Sequence, residues 1–409
     1  MDATRNTISE PELLDRMQLV AESFRPAAPI DRRSLFSGRA DQIGEVFSVV
    51  AQPGQHAVIY GERGVGKTSL AAVAVELLEA ASTLTARATC DVSDDFSTVW
   101  RKALSEIEFR TSRQGVGFSG TVGQSSEKAA DQLGSDPVTP DAVRKVLQRL
   151  GRHGSVAIFI DEFDRLRDPH APVLFADTIK ALSDRGVPAT LFLIGVADSV
   201  AELISEHRSV ERALVQIHMP RMSRSELAEI ANTGLAAARM TIAPAALKKV
   251  TAVSQGLPHY TQLLTQLAAR AALAQHRAGV GGGDVDSAVE RAVERAQGSV
   301  TEAYRVATAT GGKGIYAEVM LACALADEDE FGCFGAAEVT EPLSKILGKP
   351  CTPLTFGRHL DRMASEARGA VLQRVEGGRR RYRFENPLLQ PYVLMRGLAE
   401  GAVSFKDLA

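Results

Sequence analysis

The stretch Gly61-Glu62-Arg63-Gly64-Val65-Gly66-Lys67-Thr68 constrains this chain more than any other. It fills the spacing G-x-x-x-x-G-K-[ST], between the apolar run His56–Tyr60 and a helical pattern from Thr68 to Ala80. With Gly at about 7% of residues, a chance match in such a chain is on the order of one in a hundred, and the strand–loop–helix context lowers that. Glycines let consecutive N–H groups curl around an anion with no Cβ in the way. The helix N-terminus adds the positive end of its dipole. A lysine at the position of Lys67 reaches β- and γ-phosphates, and the Thr68 hydroxyl suits Mg²⁺. The expected ligands are therefore ATP and Mg²⁺. Their cradle would be Gly61, Arg63, Gly64, Val65, Gly66, Lys67, Thr68 and Ser69.

A second signal lies about 95 residues further on, in Ile160-Asp161-Glu162-Phe163-Asp164. Val156–Ile160 is a continuous apolar run, as in a strand covered on both faces of a parallel sheet. Asp161 at its end can hold the Mg²⁺ shell, and Glu162 can orient and deprotonate an attacking water. The competing reading is a strand that ends in solvated acids. Further apolar runs at Leu84–Thr89, Thr190–Ile194 and Val215–Met219 alternate with helical patterns, including one from Phe96 to Phe109. Residues 110–136, rich in Gly, Ser and Gln, read as a surface loop or hairpin.

Composition narrows the class. A length of 409 residues predicts two or three domains. With 45% apolar and 24% charged residues the chain is neither wholly disordered nor membrane-embedded. The formal charge of -3 confines any nucleic-acid surface to a local patch, and 5% aromatic residues argue against a base-stacking platform. Cys90, Cys323, Cys333 and Cys351 form no C-x-x-C pair, so reduced thiols are expected rather than a zinc site or disulfide framework. Asp2, Glu10 and Glu12 do not suit a secretory signal, and no apolar run reaches the ~18 residues of a membrane span. A cytoplasmic protein with no membrane partner is expected.

With these motifs the chain resembles the AAA+ ATPases over roughly residues 30–395, in the branch that holds the Orc/Cdc6-like initiators and the STAND-like and archaeal ATPases. Phe36-Ser37-Gly38-Arg39 is similar to the F-x-G-R segment of that family, which implies that Gly38 and Arg39 border the adenine. Leu193–Asp198 resembles the sensor-1 strand, with Asp198 as its polar residue. Ser209-Val210-Glu211-Arg212 resembles the segment that carries an arginine finger. That implies an ATP-dependent oligomer in which Arg212, with Arg208 as its rival, reaches the γ-phosphate of a neighbouring subunit. Gly256-Leu257-Pro258 is similar to the G-x-P of STAND-type and archaeal ATPases, where the proline packs on the base; His259 and Tyr260 stand where initiators carry a sensor-2 arginine.

The expected architecture is α/β: an N-terminal helical segment (1–29), an AAA+ P-loop NTPase core with a parallel sheet (30–220), a helical lid (221–311) and a winged-helix domain (312–409). Ser223 and Glu226 spell a capping box at the lid's start, and Asp284 can cap the helix after its glycine run. In the last domain a recognition helix over 353–367 would bury Leu354, Leu360, Met363 and Ala367 and turn Arg358, His359 and Arg362 outward. A wing at Glu376-Gly377-Gly378 would carry Arg379, Arg380, Arg381 and Arg383. Residues 358–383 hold eight arginines against three acids, a charge suited to DNA phosphates. Arg358, Arg362, Arg379, Arg380 and Arg381 are the expected contacts to double-stranded DNA. The alternative is a protein-docking or autoinhibitory module whose arginines pair with acids such as Asp327, Glu328, Asp329 and Glu330. The function expected is an ATP-hydrolysing, DNA-associated switch. A STAND-like signalling or defence ATPase, or a regulatory subunit with a protein partner, is the alternative.

Overall fold

The structure, a computed structural model, describes residues 8–26, 38–113, 123–135, 137–152, 154–196, 210–309, 314–375 and 380–408. Its strands begin with β1 (His56–Tyr60) and β2 (Leu84–Thr89), followed by a hairpin of β3 (Glu108–Arg113) and β4 (Gly123–Lys128). β5 (Val156–Asp161), β6 (Ala189–Gly195) and β7 (Leu214–His218) complete a five-stranded parallel sheet in the order β2-β5-β6-β1-β7. All of β5 and β6 is buried, because helices cover both faces. Ile59, Phe159 and Phe192 share one apolar cluster with Val46 of helix Ala40–Val50 and Leu70 of helix Lys67–Ala80. Val58, Ile158 and Leu191 point the other way, into a cluster with Trp100, Val146 and Phe175 from helices Phe96–Ser105, Pro140–Leu150 and Ala171–Ser183. The period of two along each strand thus builds two cores from one sheet.

The helix expected to run to Phe109 stops at Ser105. From Glu108 the backbone pairs with Gly123–Lys128, and this non-local pairing overrides the local helical pattern.

The lid region comprises helices Arg224–Ala237, Pro244–Ser254, Pro258–Leu273, Gly282–Glu294 and Gly298–Thr308. It is not wholly helical: β8 (Thr241–Ile242) pairs in parallel with β9 (Gly279–Val280). The capping box forms, with Ser223 N donating to Glu226 Oε2 at 2.8 Å. Helix Glu10–Ser23 ends against this unit, where Phe24 fills the space that a side chain on Gly234 would need.

The C-terminal unit contains helix Tyr316–Ala324, β10 (Phe334–Gly335), helices Ala336–Leu347 and Pro353–Met363, β11 (Leu372–Val375), β12 (Arg381–Phe384) and helix Leu389–Ala399. Its antiparallel sheet has the order β10-β12-β11. Two details depart from expectation. Leu354 is 95% exposed, whereas Phe356, Leu360 and Met363 are buried, so the apolar face follows the i, i+4, i+7 series from Phe356. Ala367 lies beyond the helix, in a short 3₁₀ turn from Glu366 to Arg368. One apolar cluster runs from Phe159 through Leu264 to Leu389 and Tyr392, joining core, lid and C-terminal unit.

Candidate nucleotide site

The sheet order puts β1 between β6 and β7, and a cleft of about 830 Å³ opens at the carboxyl ends of these strands. Gly61 follows β1 with φ of 154°, and a side chain there would overlap the carbonyl oxygen of Met219. Gly64 and Gly66 also take positive φ, 91° and 99°, and Gly66 is the N-cap of helix Lys67–Ala80. Lys67 Nζ donates to the carbonyl oxygens of Gly61 and Glu62, each at 2.9 Å. Burial pulls the Lys67 ammonium down to about 8, while Asp164, Asp161 and Glu62 hold it up. It is therefore cationic at neutral pH.

Arg63, Thr68, Ser69, Asp161 and Glu162 line the same cleft. Asp161 is 2% exposed. Its Oδ2 accepts from Arg87 Nη2 at 2.8 Å, and its Oδ1 accepts from the Glu162 amide at 2.9 Å. Glu162 takes the left-handed conformation, φ 53° and ψ 38°, which turns the chain sharply after β5. Its Oε2 meets Arg165 Nη1 at 2.7 Å. These residues fit a nucleotide with Mg²⁺. The glycines keep the loop open to an anion, and the Thr68 hydroxyl and Asp161 carboxylate are hard oxygen donors. Among the described residues no three His, Cys, Asp or Glu cluster as a metal site. A Mg²⁺ that takes its other oxygens from phosphate and water needs no such cluster.

Gly38 and Arg39 do structural work beside the cleft. The Cβ of Glu226 lies 2.7 Å from where a side chain on Gly38 would begin, so the lid helix packs directly over this glycine. Arg39, 4% exposed, donates from Nη2 to Pro220 O at 2.5 Å and Val65 O at 3.3 Å, bracing the loop against the start of the lid. Pro258 begins its helix at the cleft wall, with Cγ 3.8 Å from the place of a Gly66 Cβ. Arg25, Pro26, His259 and Gln262 extend the same wall. There His259 Nδ1 meets Pro26 O at 2.8 Å, and burial lowers the imidazole below its ordinary range.

Arg212 lies exposed before β7. His56 pairs with Leu214, so Arg212 sits at the sheet edge opposite the loop. Asp198, Arg208 and Ser209, like Phe36, Ser37, Glu376, Gly377, Gly378 and Arg379, lie outside the described residues.

The arginines of the C-terminal unit divide. Arg358, Arg362 and Arg380 are exposed, with Arg362 Nη1 donating to the Tyr316 hydroxyl at 3.1 Å and Arg380 Nη1 3.5 Å from Asp361 Oδ2. Arg374 Nη2 pairs with Asp361 at 2.5 Å, and Arg368 covers the Tyr316 ring at 3.9 Å. Arg381 is bound within the molecule, to Asp329 at 3.0 Å and Cys333 O at 2.6 Å. Arg383 lines the nucleotide cleft.

Sequence reasoning missed this C-terminal wall of the cleft. Leu388 Cδ2 lies 3.1 Å from the place of a Gly64 Cβ, and Tyr260 donates its hydroxyl to Leu388 O at 2.6 Å. Arg221 joins loop and C-terminal unit, with Nε 2.7 Å from Glu62 Oε2 and Nη1 2.8 Å from Glu328 Oε2. No local pattern marks Leu388 or Arg221.

Comparison with known proteins bears on this geometry. Residues 35–194 match the AAA ATPase domain family. The Walker-type ATPase PABY2304 of Pyrococcus abyssi aligns with a TM-score of 0.54 at 13% identity, over 90% of this chain and 98% of that one. At that identity the likeness shows the fold alone. The Aeropyrum pernix ORC2 protein (ADPNP-ADP complexes) aligns at 0.48 and 15%, over 91% and 96% of the two chains. The Aeropyrum pernix ORC1 protein, in complex with DNA, aligns at 0.45 and 18%, over 90% and 94%. No curated protein matches the sequence. No helix among the described residues is long and apolar enough to cross a membrane. A complete phosphate loop, an acidic strand end facing it and a parallel sheet of this order agree with the family match: residues 35–194 form an AAA ATPase domain.

Proposed function

We propose that the chain is a cytoplasmic, ATP-binding and ATP-hydrolysing switch that associates with double-stranded DNA through a C-terminal winged helix. One observation carries the chemistry: Lys67, Thr68, Asp161 and Glu162 line one cleft at the carboxyl edge of a parallel sheet. In this reading Lys67 exchanges the Gly61 and Glu62 carbonyls for β- and γ-phosphate oxygens. Thr68 and Asp161 hold Mg²⁺, which when bound neutralises phosphate charge. Glu162 orients a water and accepts its proton as the water attacks the γ-phosphorus. Arg212 of a neighbouring subunit supplies positive charge as the bond to ADP breaks.

The winged-helix reading is supported by the element order from Tyr316 to Phe384 and the sheet order β10-β12-β11. Exposed Arg358, Arg362 and Arg380 are then the DNA contacts. A second reading, a signalling-type ATPase held closed by its C-terminal unit, is favoured by the Glu62–Arg221–Glu328 bridge. Titration of the full chain with ATP and ADP, with phosphate release measured in parallel, tests the shared chemistry. Lys67→Ala should lose binding of both nucleotides. Glu162→Gln should bind ATP normally and slow turnover by roughly 10²–10⁴-fold. Equal turnover in Glu162→Gln and wild type would remove Glu162 from its role.

A further inference from the structure

β12 alternates strictly: Tyr382 and Phe384 are buried, while Arg381 and Arg383 share the opposite face. Arg381 is fixed by Asp329 and Cys333 O. Arg383, one pleat further on, lines the cleft together with Lys67, Asp161 and Glu162. Its cross-strand partner is Gln373, whose Oε1 accepts from Arg383 Nε at 2.6 Å. A guanidinium held at Nε has a set direction, and its two Nη groups form the fork that suits phosphate oxygens. Among the described residues that line the C-terminal wall, Arg383 stands with Glu330 and Glu385.

The approach of this wall to the phosphate loop is fixed at separate points. Leu388 closes on Gly64, Tyr260 holds the Leu388 carbonyl, and Arg221 links Glu62 to Glu328 and to Gln390 Oε1 at 2.6 Å. These contacts hold β12 beside the loop even though more than 300 residues of sequence separate Lys67 from Arg383.

We propose that Arg383 is a phosphate-binding residue supplied in cis by the C-terminal unit, and that it engages the terminal phosphate of a nucleoside triphosphate seated on Gly61–Thr68. The assignment rests on the nucleotide reading of the cleft. It makes the triphosphate a brace between two distant parts of the chain. A diphosphate, one phosphate shorter, leaves that brace unmade, so the C-terminal unit distinguishes the two nucleotides without help from a second subunit.

The test is calorimetric titration of the full chain with ATP and with ADP, for wild type, Arg383→Gln, Arg383→Lys and Lys67→Ala, with thermal melting of each. Arg383→Gln should weaken ATP about tenfold or more, as expected for loss of a charge-assisted bond, and change ADP by less than about threefold. Arg383→Lys should recover part of the ATP affinity. Lys67→Ala should lose both nucleotides. Equal loss of ATP and ADP in Arg383→Gln, or no loss of either, overturns the assignment and leaves the nucleotide reading intact. Wild-type protein that binds neither nucleotide overturns both.

Discussion

Arg221 Nε stands 2.7 Å from Oε2 of Glu62, so a residue at the start of the lid is ion-paired to the second residue of the phosphate loop. The same guanidinium reaches Glu328 and Gln390 in the C-terminal unit, at 2.8 and 2.6 Å. Gly332 turns over this junction with φ of 70°, in space that any larger side chain would take from Glu62. Glu62 thus offers its backbone carbonyl to Lys67 and its carboxylate to Arg221.

This junction is expected to respond to pH through Glu328. Burial pushes its carboxyl from 4.5 up to about 7; Arg221 and Gln390 pull it down, and Glu62 and Asp329 add to the rise. Between those values the docked unit binds more protons than an undocked one, so docking weakens as pH rises through about 7. Protection of the segment around Leu388 from hydrogen exchange, taken relative to the intrinsic exchange rate at each pH, should therefore fall across that window, and Glu328→Gln should flatten the dependence. A flat wild-type profile would count against Glu328 as the titrating group.

Arg212 is exposed at the sheet edge opposite the loop, so its expected contribution is to a neighbour's site. Arg212→Ala should bind ATP like wild type and lose turnover by a factor on the order of 10³. Mixed with Lys67→Ala, it should regain part of the activity, because one composite site has both residues. No recovery in a mixture shown to have exchanged subunits would favour a switch that works alone.

Replacing Arg358, Arg362 and Arg380 together with Ala should weaken DNA binding evenly across sequences. The slope of log affinity against log salt should fall by up to about 0.9 for each lost contact. Arg374→Ala should do less, because Asp361 holds that guanidinium at 2.5 Å, closer than the 3.5 Å at which it meets the more exposed Arg380. Anisotropy titrations at several salt concentrations read both quantities. An unchanged slope in the triple variant would exclude this surface and favour the closed-state reading.

Much of the nucleotide site is written in local sequence. Gly61, Gly64, Gly66, Lys67 and Thr68 are contiguous, and their chemistry depends on backbone conformation and spacing that eight residues set among themselves. Asp161 and Glu162 are legible because a wholly apolar strand precedes them, and burial on both faces leaves such a strand few other uses. The exposed Leu354 marks the limit: helical periodicity says that one face is buried, but the neighbours choose which one.

The sequence by itself determined the phosphate loop, the parallel sheet that must carry it and the acidic strand end, since each follows from short-range geometry and the period of apolar residues. Only the tertiary structure decided the separate tasks of Arg380, Arg381 and Arg383. In composition the three are alike, yet one side chain is 79% exposed, one pairs with Asp329 and one lines the nucleotide cleft. The pleat of β12 puts Arg381 and Arg383 on one side. That Arg383 on this side lines the cleft of the phosphate loop depends on Leu388, Tyr260 and Arg221 closing the chain on itself, and contacts over such separations leave no periodic trace in the residues that make them.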